Sequence, residues 1–167
     1  MILEKQFLSA KVLIVDDEPD NVNVLEKMLK LAGYNSLQTE TDPRKVKAIY
    51  QDFMPDLVLL DLNMPEMNGF EVMDQLKEIE RDSYLSVLVL TGLNDDETLL
   101  QAFDSGAKDF IQKPFDSHEV LSRIRNLLEV RLLHKQLKNQ NLILEKKVQE
   151  RTKELNYSRL EVVRRLG

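Results

Sequence analysis

The chain of 167 residues has no cysteine and no tryptophan, and only five glycines and five prolines. Lack of cysteine excludes a disulfide scaffold, a thiol nucleophile and a thiolate zinc site. Long apolar runs are missing too. Val12 to Val15, Leu57 to Leu60 and Val87 to Leu90 are four residues each, far short of the ~20 that a membrane-spanning helix requires. The opening Met-Ile-Leu-Glu-Lys-Gln-Phe carries an acid where a signal peptide is basic, and no cleavable apolar core follows it. A cytoplasmic protein with no membrane contact is expected.

What is present is unevenly spread. Up to Val130 there are 13 Lys+Arg against 25 Asp+Glu; beyond it there are 10 against 4, so the two parts carry −12 and +6. The acidic part holds every proline and every glycine except Gly167. Two regions with different physical roles are therefore expected, at 1–130 and 131–167. A basic tail raises the possibility of nucleic-acid binding, but its charges alternate in sign along a helical pattern, which is the mark of a solvated helix face; no direct nucleic-acid contact is expected.

Within the first region, short Val/Leu/Ile runs alternate with segments of helical spacing. Strands are predicted at Lys11–Val15, Tyr34–Thr39, Leu57–Asp61, Ser86–Thr91 and Asp109–Ile111. Between them, Asp20 to Ala32 has an apolar stripe stopped by Gly33, Asp42-Pro43 opens a helix through about Tyr50, and a third helix covers Phe70 to about Arg81. Asn94-Asp95-Asp96-Glu97 has the form of a capping box for a helix closing at Gly106, and Asp116 with Glu119 is expected to cap a last helix from Ser117. Strict alternation with fully apolar strands predicts a doubly wound α/β fold, a five-stranded parallel sheet covered on both faces. Ligands of such sheets collect beyond the carboxyl ends of the strands.

Those ends are distinctive. Strand one runs into Asp16-Asp17-Glu18, strand three ends at Asp61, strand four at Thr91-Gly92, and strand five leads to Lys113-Pro114. Three carboxylates within about 4 to 6 Å repel by several kcal/mol at an effective dielectric near 20, so the cluster calls for a divalent cation. With oxygen donors alone, Mg²⁺ is the natural ion. Asp61, with metal on one side and Lys113 on the other, is placed to attack an activated phosphoryl group. Thr91 would hydrogen-bond a phosphoryl oxygen, Gly92 would keep the adjacent backbone open, and Lys113-Pro114 is a candidate cis peptide. Singly, each of these is an ordinary turn or cap residue; together they form a coherent set.

The segments Val-Leu-Ile-Val-Asp-Asp-Glu-Pro, Leu-Asp-Leu-Asn-Met-Pro-Glu-Met-Asn-Gly, Leu-Thr-Gly and Asp-Phe-Ile-Gln-Lys-Pro-Phe, in this order, make residues 10 to 130 resemble a response-regulator receiver domain of two-component systems. The resemblance implies a flavodoxin-like strand order 2-1-3-4-5 and a phosphoacceptor at Asp61. It also implies Mg²⁺ held by Asp17, Asp61 and the Asn63 backbone carbonyl, with Asp16 acting mainly through a metal-bound water. Thr91 and Lys113 would contact the phosphoryl group, and Phe110 would be the switch aromatic with Thr91, working by packing and rotamer because it has no hydroxyl. A sensor histidine kinase or phosphotransfer protein would be the phosphodonor partner, and the chain itself would be no enzyme beyond self-phosphotransfer and autodephosphorylation. Two rivals fit worse. A haloacid-dehalogenase-type phosphatase needs a second Asp two residues after the nucleophile, where Asp61-Leu62-Asn63 has none, and a flavin or dinucleotide site needs a glycine-rich first turn in place of Asp16-Asp17-Glu18-Pro19.

From Ser117 to Gly167 nothing breaks the chain, so one helix of about 50 residues, roughly 75 Å, is predicted. Alternating steps of four and three run through Val130, His134, Leu137, Asn141, Leu144, Val148, Arg151, Leu155, Ser158 and Val162, a heptad seam. Asn141 stands at an a-type position that favours two strands, Glu154 and Arg159 fall where they pair between helices, and Arg151 and Ser158 weaken the seam. A parallel homodimer is expected. His134 is read as a packing residue of the seam and His118 as a surface residue. The tail also resembles the connector that precedes HD-GYP cyclic di-GMP phosphodiesterase domains, which implies an output domain outside these residues. Input modules of diguanylate cyclases or hybrid histidine kinases are the alternatives, as is a phosphorylation-independent docking module.

Overall fold

A computed structural model describes residues 2–80, 84–92 and 96–166. The elements are α1 (Glu4–Leu8), β1 (Lys11–Val15), α2 (Pro19–Leu31), β2 (Ser36–Glu40), a 3₁₀ turn (Pro43–Lys45) leading into α3 (Val46–Phe53), β3 (Leu57–Asp61), α4 (Gly69–Ile79), β4 (Val87–Thr91), α5 (Asp96–Asp104), β5 (Asp109–Gln112) and α6 (Ser117–Leu166). All strands pair in parallel in the order β2-β1-β3-β4-β5. This is the doubly wound topology expected. The order reverses direction between β1 and β3, so the chain leaves those two neighbours toward opposite edges and opens a crevice beyond their carboxyl ends.

Successive strand residues point to opposite faces, and the core divides accordingly. Val12 and Ile14 of β1, Leu57 and Leu59 of β3, and Leu88 and Leu90 of β4 pack with Leu25 and Leu29 of α2 and Val120, Ile124 and Leu128 of α6. The intervening Leu13, Val15, Val58, Leu60, Val87 and Val89 pack with Val46 and Tyr50 of α3, Val72, Met73 and Leu76 of α4, and Ala102 of α5. Burying one such Leu or Val stabilises by roughly 1.5–3 kcal/mol, so a one-residue slip in any central strand would misplace a whole face. The edge strand β2, Ser-Leu-Gln-Thr-Glu, is only half-buried; its polar residues suit an edge.

Several boundaries move. Asp42 caps as expected, its side chain accepting the Arg44 N–H at 3.0 Å, but the first turn is 3₁₀ and α3 continues to Phe53, ending where Met54 adopts φ 52°. Asp116 caps α6 by accepting the His118 N–H at 2.9 Å. Glu119 is a correction: no capping bond from it is seen, and it pairs with Arg123 at 3.3 Å one turn on, the ordinary i,i+4 helix contact. Asn94, Asp95 and Arg81, where a capping box and a helix end were predicted, lie outside the described residues. Helix α1 was not expected. Phe7 buries itself in the α2–α6 side of the core, and Arg125 of α6 both ion-pairs Glu4 at 2.7 Å and lies 4.2 Å from the Phe7 ring centre.

The chain forms two compact units, Met1–Leu132 and Leu133–Gly167. The second is the remainder of α6, and its apolar residues Leu137, Leu144, Val148, Leu155 and Val162 are each more than half exposed. Among the described residues no helix is long and apolar enough to cross a membrane.

Candidate functional site

The parallel register brings the carboxyl ends of β1, β3, β4 and β5 to one level, with Asp61 opposite Leu90 and Thr91 opposite Gln112. Asp16, the first residue past β1, is fully buried; Asp61 and Thr91 are 2% and 3% exposed, and Asp17 is half-buried. Carboxylate oxygens of Asp16, Asp17 and Asp61 all lie within 4.8 Å of one another. The four predicted positions on β1, β3, β4 and the end of β5 therefore sit at the same crevice.

Lys113 reaches this cluster from the end of β5. Its Nζ stands 3.1 Å from Asp16 Oδ2 and 3.3 Å from Asp61 Oδ1, bridging two strands. The Lys113 N–H donates to the Thr91 carbonyl at 2.8 Å, which ties this residue to the end of β4; the Lys113-Pro114 peptide is cis, as anticipated. Asp16 Oδ1 accepts the Glu18 N–H at 3.0 Å, and Asp61 Oδ1 accepts the Asn63 N–H at 3.3 Å. Asp16 Oδ2 is buried with the Lys113 ion pair but without a well-formed hydrogen bond.

The electrostatics follow from this crowding. Burial first, then the Asp16 charge, push the Asp61 carboxyl from 3.8 up to about 6, although Lys113 and the Asn63 N–H act in the opposite direction. Burial disfavours the Lys113 ammonium, yet Asp61 and Asp16 outweigh it and raise Lys113 above its ordinary range. One ammonium against three carboxylates leaves negative charge uncompensated. A buried donor set made only of oxygens, strained by its own repulsion and holding an oxygen without a good hydrogen bond, fits a hard divalent cation. Asp16, Asp17 and Asp61 would hold it.

Two features escaped the sequence reading. Gly69, at the start of α4, is pressed against the end of β3: a Cβ there would lie 2.7 Å from the Asp61 carbonyl oxygen and 2.8 Å from Leu62 Cα. In the sequence Gly69 stands only as the last residue of the Leu-Asp-Leu-Asn-Met-Pro-Glu-Met-Asn-Gly segment; the demand for glycine comes from the strand it packs on. Gly92 differs, since a Cβ there would meet nothing within 4 Å. The second feature is Arg123, which ion-pairs Asp109 at 2.7 Å and lies 5.9 Å from the Phe110 ring centre. Phe110 is half-buried, with its ring edge-on to Phe103 at 6.1 Å. His118 and His134 are both exposed.

The family model of the response regulator receiver domain matches residues 12–125. Among curated proteins, the chain is 41% identical over 118 residues to the DNA-binding dual master transcriptional regulator RpaA of Synechocystis, covering 71% of this chain and 48% of RpaA. It is 35% identical over 145 residues to the "Probable cyclic di-GMP phosphodiesterase" of Vibrio cholerae, covering 87% of this chain and 32% of that protein. The chain thus spans about half or less of the length of these curated relatives. Among solved structures, the chemotaxis protein CheY4 of Vibrio cholerae superposes with a TM-score of 0.67 at 29% identity, over 71% of this chain and 98% of CheY4.

Proposed function

Because the chain belongs to the response regulator receiver family, we propose that Asp61 is the residue that accepts a phosphoryl group, in a site completed by Asp16, Asp17, Thr91 and Lys113. The chain contains the receiver domain of a two-component response regulator, a regulatory phosphoacceptor rather than a catalyst. Receivers take their phosphoryl group from histidine kinases or phosphotransfer proteins. The observation that carries the assignment is the position of Asp61: buried, beside two further carboxylates and 3.3 Å from Lys113 Nζ.

Transfer requires Asp61 ionised, with one oxygen attacking phosphorus in line with the departing group. Lys113 holds Asp61 Oδ1 in place and supplies positive charge beside the oxygens of the incoming group. The Thr91 hydroxyl, at the end of the neighbouring strand, would donate to one of them. Asp16, Asp17, Asp61 and the Asn63 carbonyl would hold Mg²⁺, which when bound would supply charge neutralisation during the transfer. The product adds about 1.5 to 2 negative charges, which draws Thr91 and Lys113 inward and lets Phe110 follow. Phe110 touches Arg123 of α6, which gives the change a route into that helix.

Residues 1–130 are read as the receiver and 131–167 as a coiled-coil connector that pairs two copies in parallel. Exposed Leu137, Leu144, Val148, Leu155 and Val162 at heptad spacing support this reading. A cyclic di-GMP phosphodiesterase is the proposed output, outside these residues. A match of 145 residues to the Vibrio protein is too long for the 132 residues of the first unit and so extends into the tail, whereas the 118 matched to RpaA need not. The test of the site is intact mass after incubation with acetyl phosphate. A Mg²⁺-dependent gain of one phosphoryl group, absent in Asp61→Asn, is expected; no gain in the wild-type chain would overturn the assignment and leave a phosphorylation-independent docking module.

A further inference from the structure

The second unit of the chain has a seam that changes quality at Val148. Up to that residue the heptad is regular, with Leu137, Asn141, Leu144 and Val148 in the seam; beyond it the same spacing places Arg151, Ser158 and Arg165 at every d position. Adding one extra step of four after Val148 gives a different seam of Thr152, Leu155, Arg159, Val162 and Leu166. Such a four-residue stutter is a known way for a coiled coil to change its winding locally. Leu155 and Val162 belong to both seams, occupying a in one and d in the other.

Neither seam dominates on physical grounds. The continuous heptad sets Glu154 and Arg159 at g and e, where opposite charges on two parallel helices attract, but it directs Arg151 and Arg165 inward. The stutter releases those two arginines and covers Leu166, which is 83% exposed on the single chain, with Val163, 67% exposed, beside it. Against that it turns Arg159 inward and gives up the Glu154 pairing. Neighbouring helix residues are 100° apart at 3.6 residues per turn, so the two seams differ by a rotation of about 50° of each helix, half that step.

Resting on the reading of this tail as a parallel pair, we propose that residues 149–166 of two copies of this chain exchange between these two registers, pivoting on Leu155 and Val162, and that phosphorylation of the receiver changes their proportions. The occupant of the exposed face is a second copy of the chain, because the charge pattern and the a-position Asn141 complement themselves. The switch lies in the seam residues themselves: one set of three is inside in one state and a second set, each one residue later, is inside in the other.

The absence of cysteine from the chain makes the test direct. Three single substitutions in the full chain are oxidised with copper phenanthroline and oxygen and scored for disulfide-linked dimer. Leu144→Cys reports pairing upstream of the change, Ser158→Cys the continuous heptad and Thr152→Cys the stutter; the last two are close to isosteric. All three are expected to cross-link, with the Ser158→Cys to Thr152→Cys ratio moving at least twofold when acetyl phosphate and Mg²⁺ are added and not moving in an Asp61→Asn background. Arg151→Leu and Arg159→Leu should lock the ratio at opposite extremes, at least fivefold apart. Cross-linking by only one of the two reporters under every condition, or a ratio unmoved by phosphorylation, overturns the exchange while leaving the dimer standing. Failure of Leu144→Cys to cross-link overturns the dimer itself, and the exchange with it.

Discussion

Replacing Asp61 by Asn should make the protein more stable at neutral pH in the absence of divalent metal. Folding places this carboxylate in a buried cluster that raises it from 3.8 to about 6. A carboxyl raised by folding contributes stability in its protonated form. That contribution is complete below about pH 4 and is lost as pH rises through about 6. Raising the carboxyl from 3.8 to about 6 corresponds to about 3 kcal/mol at pH 7.5, and the Lys113 ion pair is already contained in it. Asn has nearly the same shape and no charge, so Asp61→Asn should recover most of that, roughly 2–3 kcal/mol at pH 7.5 and clearly less at pH 4.5. In thermal terms this is an increase on the order of 10 °C. Urea unfolding followed by circular dichroism, in EDTA and at fixed protein concentration because pairing would add its own term, measures it. Adding Mg²⁺ should then stabilise the wild-type chain more than the variant. Equal urea midpoints at pH 7.5 without metal, or a wild-type advantage, would refute the account of Asp61 as a carboxylate held at the expense of stability.

Lys113→Met should leave Asp61 more strongly repelled by Asp16 and slow phosphoryl transfer from acetyl phosphate by at least about tenfold, read by intact mass against time. Gly69→Ala has no room for its methyl, because the atoms in the way are the Asp61 and Leu62 backbone; a loss of about 1–3 kcal/mol in urea unfolding is expected, with slower phosphorylation. Phe7→Ala should cost about 3 kcal/mol by removing the buried ring of α1, checked by the same unfolding curves. Leu144→Asp should shift the full chain to monomer in sedimentation velocity at micromolar concentration, since it sets two carboxylates against each other in the seam; an unchanged dimer would place the pairing elsewhere.

Most of the fold could be read directly because its signals are local. β1 and β3 are bounded by charged or proline-containing turns and came out at their exact limits, Lys11–Val15 and Leu57–Asp61. Helix α1 could not be read, because five residues carry no usable period; its stability comes from Phe7 inside a core contributed by α2 and α6. The 3₁₀ turn at Pro43–Lys45 and the extension of α3 to Phe53 were hidden for a related reason, since Tyr50 and Val46 are buried by α4 and the sheet rather than by their own helix. Glu119 had two partners within reach of a first-turn acid, and only the position of Arg123 decided between them.

The sequence by itself determined the alternation of strands and helices, the parallel sheet, the residues at the strand ends and the uninterrupted last helix. Each of these follows from hydrophobic period and from Gly, Pro and capping residues, which act over a few neighbours. Tertiary structure alone decided what those strand ends do to one another. That Asp16 and Asp61 share one ammonium, that burial lifts Asp61 to about 6, and that Gly69 is the residue on which the end of β3 rests all depend on distances between residues 8 to 97 positions apart in the chain. Those distances are fixed by strand order and register, and the energy of a charge depends on such distances and on the exclusion of water, neither of which is written in any local stretch of sequence.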